Sequence, residues 1–156
     1  MNAGEMLLQT IKYKNMEAIV PYLMFNGNAS DALAFYAKVF DGKTLFQQTF
    51  GESPMAGETT EEYKSKIMHA TFQAGDLTFM VSDNMPGHQV NGGTNLSLSL
   101  NFKTVADIDK TFAGLSEGAT VTMPLQDTFW GAKFGMLTDK FGINWMFNHD
   151  YEKKEK

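Results

Sequence analysis

The feature that most constrains this chain is a repeated order of predicted elements. A strand, a helix and three strands are predicted over the first half, and the same order follows in the second. The local sequence repeats with it, because Asp31 precedes Asp107 by 76 residues and Gly42 precedes Gly118 by the same distance. Two copies of one βαβββ unit predict an α+β fold with an internal repeat.

Apolar spacing and turn residues place the individual elements. Helices are predicted over 31–40 and 105–115, the second capped by Thr104. The segment 51–66 is predicted to be a long surface loop with one helical turn at 60–64, and is a candidate lid. Strands are predicted over 18–25, 43–50, 67–73, 77–82, 95–102, 119–125, 133–138 and 143–148.

These elements divide the chain into five parts. They are an N-terminal extension (1–16), a first βαβββ module (17–84), a linker (85–94), a second βαβββ module (95–150) and a charged tail (151–156). The first fifteen residues lack a basic stretch followed by an apolar core, which disfavours a signal peptide and predicts a cytoplasmic protein.

Composition excludes several classes of function. The chain of 156 residues has a net charge of −5 and no basic run, which argues against a nucleic acid partner. No apolar run approaches the ~18 residues of a membrane span. The chain has no cysteine and no arginine, since all 13 basic residues are lysine. This excludes thiolate zinc sites, cysteine nucleophiles and bidentate guanidinium sites within the chain.

Several local motifs resemble a known family. They are PYLMFNGNA at 21–29 with AFY at 34–36, IMHA at 67–70, VTMPLQDTFWG at 121–131, FGM at 134–136 and DKFGINW at 139–145. They resemble the PhnB-like branch of the vicinal oxygen chelate superfamily, which includes glyoxalase, bleomycin-resistance proteins and extradiol dioxygenases.

The resemblance covers about residues 19–148. It implies two βαβββ modules whose curved mixed sheets surround a concave cavity, usually in a homodimer. Members are often labelled demethylubiquinone methyltransferase-like, but this sequence has no glycine-rich strand-to-helix turn suited to S-adenosylmethionine.

The resemblance also implies where a metal would bind. Enzymes of the superfamily hold a divalent ion with His or Glu on the first and last strands of each module. The matching positions here are Pro21 or Tyr22, Met80, Asn95 and Met146. Thioether sulfur is a poor ligand for a hard divalent ion, and a single amide oxygen is weak. The sequence therefore predicts no metal and no cofactor.

The predicted ligand contacts are polar or aromatic residues of the cavity wall. His69 is either a hydrogen-bonded wall histidine or a polar anchor and general base, and is the candidate catalytic residue. Gln126 and Asp127 could hydrogen-bond a ligand, and Phe129 and Trp130 could stack on it or pack against a partner subunit. The full predicted set is His69, Asn95, Ser97, Gln126, Asp127, Phe129 and Trp130.

Three functions remain open. The leading prediction is metal-independent binding of a small apolar or aromatic molecule by a homodimer. The second is an enzyme of lyase, isomerase or dioxygenase type that uses His69 or a metal site not recognised in the sequence. The third is a structural dimer without a ligand. None of the three involves nucleic acid or a membrane.

Overall fold

The fold contains two four-stranded sheets, each accompanied by one helix. Our computed structural model describes residues 16–152, so most of the predicted extension and 153–156 of the tail lie outside the described residues. In chain order the elements are β1 (Tyr22–Phe25), α1 (Ala29–Phe40), β2 (Lys43–Thr49), β3 (Ile67–Ala74), β4 (Leu77–Asp83), β5 (Leu98–Asn101), α2 (Val105–Leu115), β6 (Thr120–Asp127), β7 (Ala132–Thr138) and β8 (Asn144–Asp150).

The two sheets have the same topology. The strand order is β1-β4-β3-β2 in sheet 1 and β5-β8-β7-β6 in sheet 2. The first strand of each module runs parallel to the last one, and the other neighbours are antiparallel, so both sheets are mixed. This confirms the predicted α+β fold of two βαβββ modules.

Three predicted segments differ clearly from the structure. Strand β1 begins at Tyr22, since proline has no N–H for a ladder and Pro21 only accepts the backbone N–H of Met80, at 2.9 Å. Strand β5 covers only Leu98–Asn101, so Asn95 lies before it. The segment after β2 forms three 3₁₀ turns (Phe50–Glu52, Pro54–Glu58 and Tyr63–Ser65) where one helical turn was predicted.

The start of α1 depends on a side chain from a distant strand. Asn28, at the N-cap, makes no side-chain capping bond. Instead, Asp83 at the end of β4 accepts the backbone N–H of Ala29 through Oδ1 and that of Ile67 through Oδ2, both at 2.9 Å. One buried carboxylate therefore caps α1 and fixes the start of β3.

A single aromatic core joins the two modules. Tyr36 of α1 is fully buried and contacts Phe79 of sheet 1 and Trp145 of sheet 2, with ring centroids 5.5 and 5.9 Å apart. Gly42 follows α1 because a Cβ there would lie 2.4 Å from the tip of the Phe72 ring. The inner faces of both sheets pack with the helices into this core.

Asp139, on the turn between β7 and β8, is the polar centre of that core. Its Oδ2 accepts the Tyr36 hydroxyl at 2.6 Å and the Trp145 indole N–H at 2.8 Å. Its Oδ1 accepts the backbone N–H groups of Phe141 and Ile143 at 2.8 and 3.1 Å. Burial and the adjacent carboxylate raise the pKa of Tyr36 far above its ordinary value. The network supplies hydrogen-bond donors to both oxygens of a buried carboxylate and links α1 to the second module.

Candidate functional site

Each sheet has one face turned away from the helices, which we call its open face. On the open face of sheet 1, strand register places Tyr22 opposite Met80, Met80 opposite Thr71 and Thr71 opposite Phe46. Tyr22 and Phe46 are 45% and 53% exposed, whereas residues that alternate with this row on β1, β3 and β4 are buried in the core: Leu23, Ala70, Phe72, Phe79 and Val81. The open face therefore presents aromatic and thioether groups to solvent.

His69 lies on this open face between two aromatic side chains. Its Nδ1 is 3.1 Å from the Tyr22 hydroxyl, and its ring centroid is 6.1 Å from that of Phe46. Tyr22 and His69 are separated by 47 residues in the sequence and are brought together by the pairing of β1, β4 and β3. The open face thus carries a hydroxyl and an imidazole, both able to donate or accept a proton, next to the aromatic ring of Phe46.

The open face of sheet 2 has different chemistry in the equivalent row. Ser99 lies opposite Met146, Met146 opposite Met136 and Met136 opposite Met123. The neighbouring row contains Asn101, Asn148, Phe134 and Gln126. Neither row contains a charged side chain, so this face offers a deformable apolar surface flanked by neutral amides.

The hairpin between β6 and β7 carries an exposed aromatic pair. Phe129 is 98% exposed and Trp130 is 56% exposed, and their rings meet edge to face at 4.9 Å. Trp130 also approaches Phe134, at 6.0 Å, on the open face of sheet 2. Gly131 has a φ of +86°, which glycine adopts without strain and which lets the hairpin turn tightly after the pair.

Asp127 lies on the helix side of sheet 2. It pairs with Lys133 across β6 and β7, and Lys133 forms an ion pair with Asp109 of α2. Asp127 accepts the Tyr151 hydroxyl at 2.5 Å, and this bond raises the pKa of Tyr151. Its partner is therefore a side chain of the same chain, and it is turned away from Gln126.

A groove of about 540 Å³ lies between the two modules, along the edges of β1 and β5. Its walls come from β1, the linker, the start of β5 and the turn between β7 and β8. They include Tyr22, Met24, Asn95, Leu98 and Asn144. Such a volume lies within the range of small-molecule sites, and apolar walls with a few placed amides are typical of them.

Two asparagines hold the linker along this groove. Asn26, just after β1, donates to the Val90 carbonyl through Nδ2 and accepts the Val90 N–H through Oδ1, both at 2.8 Å. Asn144, at the start of β8, donates through Nδ2 to the carbonyls of Gly93 and Leu96 at 2.7 and 3.0 Å. The linker is thereby fixed to both modules by side chains rather than by strand pairing.

Ser97 and the candidate lid lie outside the groove. Ser97 lines a smaller cavity of about 200 Å³ beside Met136 and Thr122. The predicted lid is attached to the body of the protein: Phe50 is buried against Tyr63, and the Tyr63 hydroxyl donates to the Asn84 carbonyl at 2.5 Å. Burial raises the pKa of Tyr63. None of residues 50–66 lines the groove.

The residues predicted to bind a ligand thus fall into separate places. Asn95 lines the groove, and His69 is one hydrogen bond behind its wall, through Tyr22. Gln126, Phe129 and Trp130 belong to the second module and line neither cavity. Sequence reasoning missed Tyr22 as a residue of the groove wall, although the resemblance had singled out its position.

The donor set does not fit the metal that the resemblance implies. Register pairs Tyr22 with Met80 and Ser99 with Met146, so Ser99 replaces Asn95 at the third predicted position. A phenol, a hydroxyl and two thioethers are poor ligands for a hard divalent ion. Among residues 16–152, no group of three or more His, Cys, Asp or Glu side chains could hold a metal ion.

Comparison with known proteins identifies the family. A family model described as 3-demethylubiquinone-9 3-methyltransferase matches residues 17–147. The chain belongs to this family. Its PhnB-like character is supported by a putative 3-demethylubiquinone-9 3-methyltransferase, PhnB protein, from Bacillus cereus, which is 28% identical over 85% of this chain and 99% of that one, with a TM-score of 0.72.

Two other relatives align with most of this chain. Protein PA1353 from Pseudomonas aeruginosa is 41% identical over 88% of this chain and its own full length, with a TM-score of 0.77. Protein YjdN from Escherichia coli K12 is 33% identical over 82% of this chain and 92% of its own length. Solved glyoxalase/bleomycin resistance/dioxygenase proteins at 15–16% identity share the fold, which confirms the predicted fold.

Within the part of the chain that the structure describes, no helix is both long enough and apolar enough to cross a membrane. The predicted cytoplasmic location stays a prediction.

Proposed function

We propose that this family member is a metal-independent binding protein for a small uncharged molecule of aromatic or apolar character, held in the groove between its modules. The observation that carries this proposal is the groove of about 540 Å³ whose wall includes Tyr22, with His69 hydrogen-bonded behind it. A ligand that stacks on Tyr22 would meet an apolar wall and neutral amides in the same cavity.

The charges around the groove favour an uncharged ligand. Lys140 is the one charged residue in the lining, and its ammonium pairs with Glu117 at 3.1 Å. The carboxamides of Asn28 and Asn95 make no hydrogen bond to other described residues and can donate to and accept from a ligand. An anionic ligand would lose its hydration without gaining a free cationic partner, which costs several kcal/mol or more.

The proposal includes a homodimer, because large apolar side chains stay uncovered in one copy. Phe46, on sheet 1, and Phe129 and Trp130, on the hairpin of sheet 2, are all more than half exposed. Aromatic side chains are enriched at interfaces, and uncovered apolar patches mark sites of association. A second copy of the chain related by a twofold axis would cover such surfaces in both subunits at once.

One observation favours an enzyme as the second candidate. The Tyr22 hydroxyl and His69 Nδ1 are within hydrogen-bond distance on an open face, which is the arrangement of an acid–base pair. In this alternative the Tyr22 hydroxyl takes a proton from a substrate in the groove as it passes its own proton to His69, and the reverse transfer returns the proton. The family description names methyl transfer. Neither cavity is lined by a glycine-rich strand-to-helix turn of the kind suited to S-adenosylmethionine, so methyl transfer is not part of the proposal.

A matched pair of fluorescent probes tests the binding proposal. N-phenyl-1-naphthylamine is uncharged, and 8-anilinonaphthalene-1-sulfonate has nearly the same ring system with one negative charge. We expect the neutral probe to bind more tightly to the wild-type protein. The Tyr22→Ala variant should weaken neutral-probe binding at least about fivefold, because stacking on an aromatic ring contributes about 1 kcal/mol beyond burial of its area.

The control variant is Asp127→Asn, which leaves both cavities intact because Asp127 lines neither. Its affinity for the neutral probe should equal that of the wild type. Equal affinity for both probes, or equal loss in the Tyr22→Ala and Asp127→Asn variants, would contradict binding of uncharged ligands in the groove.

Native mass spectrometry of protein purified without chelator tests the proposed dimer, its metal independence and the retention of a ligand. We expect a dimer without bound metal that retains an organic mass. A metal in each subunit would overturn metal independence and favour the enzyme, and a monomer would overturn the dimer. A bare dimer that also fails to bind either probe would favour a structural role without a ligand.

A further inference from the structure

Two Asn-Gly pairs flank the groove, and they differ in how the side chain of the asparagine is hydrogen-bonded. They are Asn26-Gly27, just after β1, and Asn91-Gly92, in the linker. Asn26 and Asn91 both line the groove. A chemical change at either asparagine would therefore alter the lining of the groove.

The Asn-Gly sequence is chemically labile in water. The backbone nitrogen of the glycine attacks the Asn side-chain carbon Cγ and loses its proton, the Cγ–Nδ2 bond breaks, and ammonia leaves. Water then opens the resulting succinimide ring to give aspartate or isoaspartate. Glycine favours this reaction because it has no Cβ to hinder the approach and its backbone is permissive.

The side chain of Asn26 is held away from this reaction. Its Nδ2 and Oδ1 form two hydrogen bonds of 2.8 Å with the backbone of Val90. The same Oδ1 accepts from Nδ2 of Asn84 at 3.1 Å. Attack by the nitrogen of Gly27 would require these bonds to break first, because Cγ must turn toward the following residue.

Asn91 has none of these restraints. Asn91 and Gly92 are both exposed and lie in a stretch without helix or strand. No hydrogen bond to another described residue fixes the Asn91 side chain, although the adjacent residue Val90 is bound on both sides by Asn26. Its amide is therefore free to sample the orientation in which the Gly92 nitrogen reaches Cγ.

We propose that Asn91 is a site of spontaneous deamidation and that Asn26 is protected by the fold. The lining of the groove contains no Asp or Glu. Deamidation of Asn91 would introduce the first carboxylate there and would change the charge of a cavity that is otherwise neutral apart from the paired Lys140. This inference concerns the chemistry of the linker and does not depend on what the groove binds.

Peptide mapping by mass spectrometry after incubation at mildly alkaline pH tests the proposal. We expect conversion at Asn91 at least about tenfold faster than at Asn26, which corresponds to about 1.4 kcal/mol of additional barrier. Intact protein should develop a more acidic species that is retained longer on an anion exchanger. In concentrated urea both sites should convert at similar rates, since the fold no longer distinguishes them.

The matched variant is Gly92→Ala. Its new Cβ would lie 3.5 Å from the Gly142 carbonyl oxygen, an ordinary contact, so the fold is retained while attack is hindered. This variant should lose the acidic species. Equal conversion at both sites in the folded protein, or absence of conversion at Asn91 while it proceeds in urea, would overturn the proposal. An acidic species that persists in Gly92→Ala would overturn it as well.

Discussion

Two tyrosine hydrogen bonds of this protein lie in contrasting environments. The Tyr36 hydroxyl donates to Asp139 at 2.6 Å inside the core, where both residues are buried and two further backbone donors complete the network. The Tyr22 hydroxyl lies 3.1 Å from Nδ1 of His69 on an open face, at the groove. The first bond joins the modules, and the second is accessible to a ligand.

The difference follows from the environment of each acceptor. A buried carboxylate without its donors would carry the full cost of desolvation, so each donor to Asp139 has a large effect on stability. The Tyr22–His69 pair can exchange its mutual bond for water with little change in free energy. We therefore expect substitutions in the first network to lower the free energy of unfolding and substitutions in the second to alter binding.

The largest expected effect is that of Asp139→Ala. Removing the carboxylate leaves two side-chain donors and two backbone donors unpaired, and we expect the free energy of unfolding to fall by about 3–5 kcal/mol. Urea unfolding measures this change. The matched control is Asp127→Ala, which removes a carboxylate whose tyrosine partner is exposed, and should cost less than about 1 kcal/mol. Similar losses in the two variants would contradict the comparison.

The two tyrosines themselves provide the next test. Tyr36→Phe removes one donor to a buried carboxylate and should lower the free energy of unfolding by about 1.5–3 kcal/mol. Tyr22→Phe should change it by no more than about 0.5 kcal/mol, because its hydroxyl is exposed. If Tyr22→Phe were the more destabilising variant, the open face would be part of the folding core.

Alkaline pH should sharpen the same contrast. The pKa of Tyr36 is raised in the folded state, so its contribution to stability is fully present below the unfolded value of 10.0 and is lost as pH rises above it. Stability should fall by up to about 1.4 kcal/mol per pH unit from this group. In Tyr36→Phe the decline above pH 10 should be shallower. An unchanged slope would show that other groups control alkaline unfolding.

A small effect on stability is also expected for His69→Ala. Because His69 lies on an open face with one side-chain hydrogen bond, the free energy of unfolding should change by less than about 1 kcal/mol. Loss of its contact with Tyr22 should still weaken binding of the neutral naphthylamine probe by a few-fold. A large loss of stability with unchanged probe binding would reverse the roles that we assign to the two tyrosine networks.

Local sequence signals were sufficient for much of the fold. Thr104 is a good N-cap, and α2 begins at the next residue, with Thr104 Oγ1 accepting the Asp107 N–H at 3.1 Å. The alternation of polar and apolar residues before β5 was misleading. It begins at Asn95 and predicted a strand from there, but the residues before Leu98 have no neighbouring strand to pair with. There the Asn144 side chain binds the Gly93 and Leu96 carbonyls instead.

The site was harder to predict, since it depends on register between distant strands. The Tyr22–His69 contact requires the parallel pairing of β1 with β4, which no local pattern specifies. A register shift between Met123 and Gln126 interrupts alternation along β6. Alternation counted from Met123 would therefore place Asp127 on the open face and Gln126 on the helix side, the reverse of their positions in the structure.

The most direct test of the central claim is a titration with N-phenyl-1-naphthylamine followed by NMR of ¹³C-methyl-labelled methionine. Met24 lines the groove, whereas Met123 lies on the open face of sheet 2 and Met55 lies in a 3₁₀ turn. Methionine-to-leucine variants assign the three signals. Binding in the groove predicts a saturable shift of the Met24 methyl with the Met55 and Met123 methyls unmoved. A shift of the Met123 methyl without one at Met24 would contradict the groove as the binding site.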